Sequence, residues 1–234
     1  PVAGALFQEL IDVAVILNAL RALSSTQVGA LNTTQLKGLT TAQANALPTT
    51  QLAALSTQQI TWLTTADVAA LSTDAVSALT TDQVGALTSS QAQALTTDQI
   101  AAFDTAQIAN LGTSALAAFS STQLRALGTD QVAALTTSQL GALSTTSLGS
   151  LTTDQVAALD TTQVASLTTA QIAGLGTDQM AALTPTQIGA LDTADIVAMS
   201  GQQLGALGTA QFAALSPSLV SAIERSEERR VGKE

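Results

Sequence analysis

The sequence predicts an all-α solenoid in which every eight-residue repeat forms one very short helix. An octad with the consensus Leu-Thr-Thr-Asp-Gln-Val-Ala-Ala runs without insertion or deletion from Leu23 to Ile223, which gives about 25 repeats. A fixed period of this kind indicates repeats that stack on one another. Each octad also carries the residue types that begin a helix, so the period and the local chemistry agree.

The helix start occupies fixed octad positions, which are numbered from the leucine. In the octads that begin at residues 23 to 215, position two is Ser, Thr, Asp, Asn or Gly except at Pro48, and these are the residues preferred at a helix N-cap. Position five is mostly Gln, which completes a capping box, while positions one and six form a hydrophobic staple. Pro185 and Pro217 lie at position three, the first helical residue, where proline is tolerated. We expect helices of six or seven residues, with three or four octads per coil.

The acidic residues follow the same pattern. Residues 24–223 contain 11 Asp and no Glu, and every Asp is at position two, four or five. The positive end of the helix dipole stabilises a carboxylate there by about 0.3–1 kcal/mol. The sequence therefore assigns structural capping roles, at the N-cap or as its box partner, to Asp104, Asp160, Asp192, Gln131, Gln155 and Gln179.

One continuous helix does not fit the period. Eight residues advance about 800°, so the leucine stripe would drift by about 80° per octad. Such short helices are unstable alone, and we expect them to stack and bury positions one, six and eight. A β-solenoid is the alternative, since Thr, Val and Ile suit strands. Disorder, which is common in low-complexity repeats, is disfavoured by the apolar pair in nearly every octad.

The composition argues against an enzyme. The chain has no Cys and no His, and its formal net charge is −10. The first two absences remove thiol nucleophiles, disulfides and the commonest general base and metal ligand. The acidic balance argues against nucleic acid and anionic lipid as partners. We expect no catalytic residues, no cofactor and a monomeric chain.

Residues 1–23 form a separate apolar segment, predicted to be a helix. Its strings PVAGAL, Gln8-Glu9 and LNALR resemble the last membrane helix of heavy-metal-transporting P-type ATPases. The resemblance implies that Gln8 or Glu9 lies near an ion path, and an acid inside a membrane helix is a functional candidate. The phosphorylation loop and nucleotide-binding domain of that family are missing. The segment is alternatively an amphipathic helix that caps the first coil.

Residues 225–234, RSEERRVGKE, resemble a translated sequencing adapter, which indicates an artefactual tail on a metagenomic sequence. The alternative is a genuine charged cap at the end of the solenoid. The sequence thus predicts three parts: residues 1–23, an octapeptide-repeat solenoid at 24–224, and the tail at 225–234.

The octads resemble Thr-Thr-x-Gln-Val-x-Ala-Leu repeats of very large bacterial surface or secreted proteins, adhesin-like ones included. That resemblance implies no catalytic residue.

These observations favour a non-catalytic structural or interaction module, a spacer or adhesive rod of a larger exported bacterial protein. We expect it to be secreted or at the cell surface, with a protein or glycan partner. One alternative is a membrane-anchored appendage of a heavy-metal transporter, with the membrane reached only through residues 1–23. A second alternative is ligand or ice binding by the repeats, since ordered threonine rows can order water. Capping at positions two and three is expected to occupy those threonines.

Overall fold

The computed structural model describes the backbone of residues 22–231 and the side chains of residues 22–225. This part of the chain is helical and contains no β-strand, so the predicted all-α solenoid is confirmed. The β-solenoid alternative is wrong for these residues. Residues 1–21 lie outside the described part, and with them Gln8, Glu9 and nearly all of the predicted N-terminal helix.

The chain divides into two compact units, residues 1–118 and 119–234. In the described part of the first unit there are twelve helices. In order, α1 to α12 are Ser25–Gly29, Thr33–Lys37, Thr41–Asn45, Thr49–Leu52, Thr57–Trp62, Thr65–Ala70, Thr73–Ser77, Thr81–Gly85, Ser89–Ala94, Thr97–Ala101, Thr105–Asn110 and Thr113–Ala117.

The second unit continues the same pattern, with thirteen helices up to residue 231. In order, α13 to α25 are Ser121–Arg125, Thr129–Ala133, Thr137–Ala142, Thr145–Gly149, Thr153–Ala157, Thr161–Ala165, Thr169–Ala173, Thr177–Ala182, Pro185–Ile188, Thr193–Ala198, Gly201–Gly205, Thr209–Ala213 and Pro217–Val231.

The repeat helices have four to six residues, and most are shorter than the six or seven expected from the sequence. Two consecutive residues of the octad have extended backbone. Leu95, at position one, has φ −60° and ψ 137°, and Thr96, the N-cap at position two, has φ −76° and ψ 162°. At most six of the eight residues can then be helical, and the extended pair forms the corner between helices.

The core is built from positions one, five and six. In the octad that contains α17, the side chains of Leu151, Gln155 and Val156 are only 3%, 3% and 1% exposed. The expectation for position eight is wrong, because Ala158 and its equivalents in most other octads are only half-buried. Position eight lies beside the corner, where the helix ends and turns away from the core. The burial of polar position five was not expected.

Within each unit a coil contains three octads. Each helix packs on the third helix along the chain, as in α3 with α6, α9 with α12, α17 with α20 and α19 with α22. The backbones come close at position seven. A Cβ atom added to Gly85 would lie 3.0 Å from the carbonyl oxygen of Asn110, and one added to Gly149 would lie 3.2 Å from that of Gly174. Small residues there permit this approach.

Helix α25 ends the octad pattern. It runs from Pro217 to Val231 without a corner, so no element ends at the boundary predicted between residues 224 and 225. The reason is local, because position two of the octad that begins at Ile223 is Glu224. A glutamate is not among the short polar residues that cap a helix start, and nothing interrupts the helix there.

The buried position six should carry much of the stability. Leu148 in α16 has a fully buried side chain, and we expect Leu148→Ala to lower the free energy of unfolding by about 2–5 kcal/mol because it leaves a cavity. Urea unfolding of the full chain, followed by circular dichroism, measures this. Thr146→Ala, at an exposed position of the same helix, is the control and should change stability by less than about 0.5 kcal/mol. Equal effects of the two changes would contradict the burial pattern.

Candidate functional site

The residue that organises the described part of the chain is the glutamine at position five. Its side chain caps its own helix and also donates to backbone carbonyls of the preceding coil. We call the glutamines that make this second contact the glutamine ladder. Its members are Gln51, Gln59, Gln83, Gln91, Gln99, Gln107, Gln155, Gln163, Gln171, Gln179, Gln187, Gln203 and Gln211.

Gln83 in the first unit shows the geometry. Its Oε1 accepts a hydrogen bond from the N-cap backbone N–H of Thr80 at 2.8 Å. Its Nε2 donates to the carbonyl oxygens of Leu52 at 2.9 Å and Leu55 at 2.7 Å. Leu52 ends helix α4, and Leu55 lies at the corner between α4 and α5. Helix α5 lies three octads before α8, the helix that contains Gln83. One buried amide therefore joins the start of its own helix to the corner of the coil before it.

The second unit repeats the arrangement. Gln155 accepts from the N–H of Thr152 at 2.8 Å and donates to the carbonyls of Leu124 at 2.9 Å and Leu127 at 2.7 Å. A buried polar group is tolerated when its hydrogen bonds are made, and here three of the four are present. Each hydrogen bond contributes about 0.5–1.5 kcal/mol net, but leaving the group unpaired would destabilise the fold by more.

This geometry requires glutamine rather than glutamate. A capping box accepts either residue, because only the oxygen is used. The contact with the preceding coil needs an N–H donor, which an ionised carboxylate lacks. The complete absence of Glu from residues 24–223 was the sequence signal of this second role. From the sequence alone, this absence bears only on the aspartate pattern and does not predict the ladder.

The aspartates assigned to N-caps lie at helix starts. Oδ1 of each accepts a backbone N–H three residues later, at 2.7 Å for Asp104, 2.7 Å for Asp160 and 2.8 Å for Asp192. The carboxylate thereby satisfies a donor that the first turn leaves unpaired. These side chains are exposed, and the contacts that they make are helix caps.

Three glutamines were assigned to capping boxes, and they differ. Gln155 has the reciprocal pair, because Thr152 Oγ1 accepts from its backbone N–H at 3.2 Å. Gln131 and Gln179 make only the half that accepts from the N-cap, at 2.7 Å from Gly128 and 2.9 Å from Gly176. A glycine has no side chain with which to return the bond.

The buried carboxylates at position five depart from the ladder. Asp195 is 4% exposed and accepts from the N–H of Asp192 at 3.2 Å. Desolvation by burial raises the pKa of Asp195, and the nearby charge of Asp192 adds to the rise, while hydrogen bonds from the backbone of Asp192 and from Thr169 oppose it. As a carboxylate, Asp195 cannot donate to the preceding coil. Asp67 occupies the same position in the first unit and is 1% exposed.

The first described coil separates the two roles of the glutamine. Gln27 and Gln35 are exposed, yet their Oε1 atoms still accept from the N–H groups of Ser24 at 2.8 Å and Asn32 at 2.9 Å. A helix therefore begins normally when its glutamine makes only the capping contact. These residues provide natural controls for the ladder.

The expectation that capping occupies the threonines at position three is wrong. The N-cap at position two makes that contact, as Thr152 does. Within the described side chains, the hydroxyls of Thr153 and Thr177 are exposed and make no hydrogen bond. A residue at the first helical position lies beyond the cap, so its side chain is free to face solvent.

The match to known repeats agrees with this architecture. The family model of the ALTTAQ repeat matches residues 62–97, 100–137, 136–169, 165–193 and 188–224, which together exceed half of the chain. The chain belongs to the ALTTAQ repeat family. A search of the curated proteins finds no match. The octads at residues 24–61 precede the first matched segment and also form short helices. Helices α1 to α3 begin with a capping box, whereas α4, which follows Pro48, has no side-chain cap.

The described part of this ALTTAQ repeat chain contains neither a metal-binding cluster nor a membrane-spanning helix. No group of three or more Asp or Glu side chains there is arranged to hold a metal ion. None of the helices up to residue 231 combines the length and apolar character that crossing a bilayer requires.

The ladder predicts a large difference between two similar substitutions. Gln155→Glu keeps the oxygen that accepts from Thr152 but places a carboxylate against the carbonyls of Leu124 and Leu127. We expect it to lower the free energy of unfolding by about 2–5 kcal/mol near pH 7, since a buried charge loses its partners. Gln35→Glu keeps the same capping contact at an exposed site and should change stability by less than about 0.5 kcal/mol.

Urea unfolding at several pH values measures both effects. The introduced carboxyl at residue 155 should have a pKa above that of the unfolded chain. The lost stability should therefore return as the pH falls below that raised pKa, because the protonated group is neutral and can donate. If the two variants lose equal stability, the contact with the preceding coil is not important.

Asp195 allows the opposite test. Asp195→Gln restores an N–H donor at position five. By the spacing of the other ladder contacts, this donor would face the carbonyls of Val164 and Leu167. We expect the free energy of unfolding to rise by about 1–2 kcal/mol near pH 7. In the unmodified chain, the raised pKa makes the contribution of Asp195 greatest below its unfolded pKa of about 3.9. It is lost as the pH rises through the folded value. The substitution should remove that loss. Asp154→Asn, at an exposed site, controls for the change in net charge and should change stability near pH 7 by less than about 0.5 kcal/mol.

Proposed function

We propose that the chain is a non-catalytic repeat module that acts as a spacer and interaction surface of a larger exported bacterial protein. The observation that supports this proposal is that some octad positions are buried and others exposed. Positions one, five and six hold the coils together, while positions two, three, four and seven are largely exposed. The fold therefore leaves about half of each octad available for contacts with a partner.

The chemistry of the exposed positions also favours binding over catalysis. They carry mostly Thr, Ser, Asp and small residues, and the Asp and hydroxyl side chains at position two already serve as caps. The chain has no His or Cys that would act as a general base or nucleophile. Threonine hydroxyls and carboxylates are suited to hydrogen bonding with a protein or glycan surface, and we propose a partner of that kind for a monomeric chain.

The exported location rests on the resemblance of the octads to repeats of bacterial surface and secreted proteins. A chain without Cys is compatible with an oxidising compartment because it has no thiol to oxidise. The transporter-appendage hypothesis depends on residues 1–23, which lie almost entirely outside the described part, and it stays a prediction. Ice binding likewise stays a prediction, with thermal hysteresis as its measurement.

Surface labelling tests the location directly. An antibody raised against the purified chain should label intact producing cells, or recover the chain from their medium, because a spacer must lie outside the cytoplasm to work. Labelling is followed by flow cytometry before and after permeabilisation, with a cytoplasmic enzyme of the same cells as control. Labelling that requires permeabilisation, together with an empty medium, would contradict the proposal.

A further inference from the structure

A polar cleft lies on the surface of the second unit, at the edge of successive coils. It has a volume of about 320 Å³ and lies between the end of α13 and the starts of α17 and α20. The side chains and backbone that matter for its chemistry belong to Arg125, Thr152, Thr153, Gly176, Thr177 and Asp178. Small-molecule sites in proteins begin at about 300 Å³, so the cleft has room for one sugar-sized ring.

Arg125 is an unusual residue for its position. Position seven is mostly Ala, Gly or Ser, and Arg125 and Lys37 are the only basic residues in 24–224. The Nε of Arg125 donates to the carbonyl oxygen of Ser150 at 2.8 Å, which fixes the plane of the guanidinium group. Within the described side chains its two terminal nitrogens have no hydrogen-bond partner. A guanidinium held in this way presents a pair of donors whose spacing matches a carboxylate.

Gly176 keeps the cleft open. A Cβ atom at this residue would lie 3.7 Å from Gln179 Oε1, an ordinary contact, so packing does not require glycine here. The glycine also forgoes the side-chain cap that Thr, Ser or Asp supplies in most octads. A threonine would restore the cap and would fill part of the cleft.

We propose that this cleft binds a saccharide that carries one carboxylate, such as a uronic acid. The inference deepens the interaction role proposed above and rests on it. The terminal nitrogens of Arg125 would bind the carboxylate, and the Asp178 carboxylate would accept protons from sugar hydroxyls. The hydroxyls of Thr153 and Thr177, exposed and unpaired within the described side chains, supply further donors and acceptors.

The surrounding charge selects against more strongly anionic ligands. Asp178 lines the cleft, Asp154 lies on the first turn of the adjacent helix α17, and the chain carries a net charge of −10. A dianion such as phosphate is repelled more strongly than a single carboxylate. The lining contains no aromatic ring on which a sugar could stack, so we expect weak binding with Kd on the order of 1 mM.

The N–H signal of Arg125 Nε in the ¹⁵N spectrum of the full chain reports binding, and its loss in Arg125→Ala assigns it. Alanine is common at position seven, so this variant should fold. Sodium glucuronate should shift the signal saturably, whereas glucose, acetate and inorganic phosphate at equal ionic strength should shift it much less. Calorimetry with glucuronate should show binding that Arg125→Ala abolishes.

Two matched threonine substitutions test the location of the site. Gly176→Thr should raise the melting temperature through the restored cap and weaken glucuronate binding at least tenfold. Gly208→Thr makes the same change at another N-cap with similar space, 3.6 Å from Gln211 Oε1. It should raise the melting temperature and leave binding unchanged.

Several results would overturn the inference. They are no saturable shift with glucuronate, equal shifts with acetate or glucose, and full binding by Gly176→Thr. Surface labelling is a separate measurement, so a protein that labels on intact cells but ignores glucuronate would refute this site and leave the proposed function standing.

Discussion

The fold depends on a carboxamide that serves two coils at once. The oxygen of the position-five glutamine caps the helix to which it belongs, and its nitrogen binds the carbonyls of the corner one coil earlier, as at Gln83 and Gln155. The repeat helices before α25 have four to six residues and would not persist alone in water. The glutamine therefore links the start of each helix to the preceding coil. The residue that caps a helix also holds the coils together.

Apolar packing and the ladder make different contributions to the stability of the fold. Leucine at position one and the aliphatic residue at position six exclude water from the interior, which is the larger and less directional contribution. The glutamine amide adds direction, because its hydrogen bonds are made only when a coil contains three octads. Stability in such an array is a sum over neighbouring contacts, so Asp67 and Asp195 mark coils where one of those contacts is replaced by a buried carboxyl.

The local part of this structure was readable from the sequence. The N-cap residues, the prolines at position three and the strict period indicated short capped helices and a stacked architecture. The sequence overestimated helix length because the extended conformation of both corner residues cannot be read from the capping motif. It left the coil at three or four octads, since caps act within one octad and carry no information about the distance between coils.

The candidate site was not predicted at all. The cleft in the second unit brings together residues of octads that are 24 residues or more apart, so the roles of Arg125 and Gly176 emerge only from the three-octad coil. In the sequence, Arg125 is a basic residue at position seven and Gly176 one of several glycines at position two, and neither pattern indicates a site. The preference for Gln over Glu was visible, but its meaning depended on knowing that position five faces the preceding coil rather than solvent.

Proton exchange of the glutamine side-chain amides tests the ladder most directly. In a full chain labelled with ¹⁵N, the Nε2 protons of Gln83, Gln155 and Gln171 should exchange with water as slowly as the backbone amides of their own helices. Those of the exposed Gln27 and Gln35 should exchange as fast as a free amide. If the ladder amides exchange as fast as the exposed ones, glutamine does not join the coils and the account fails.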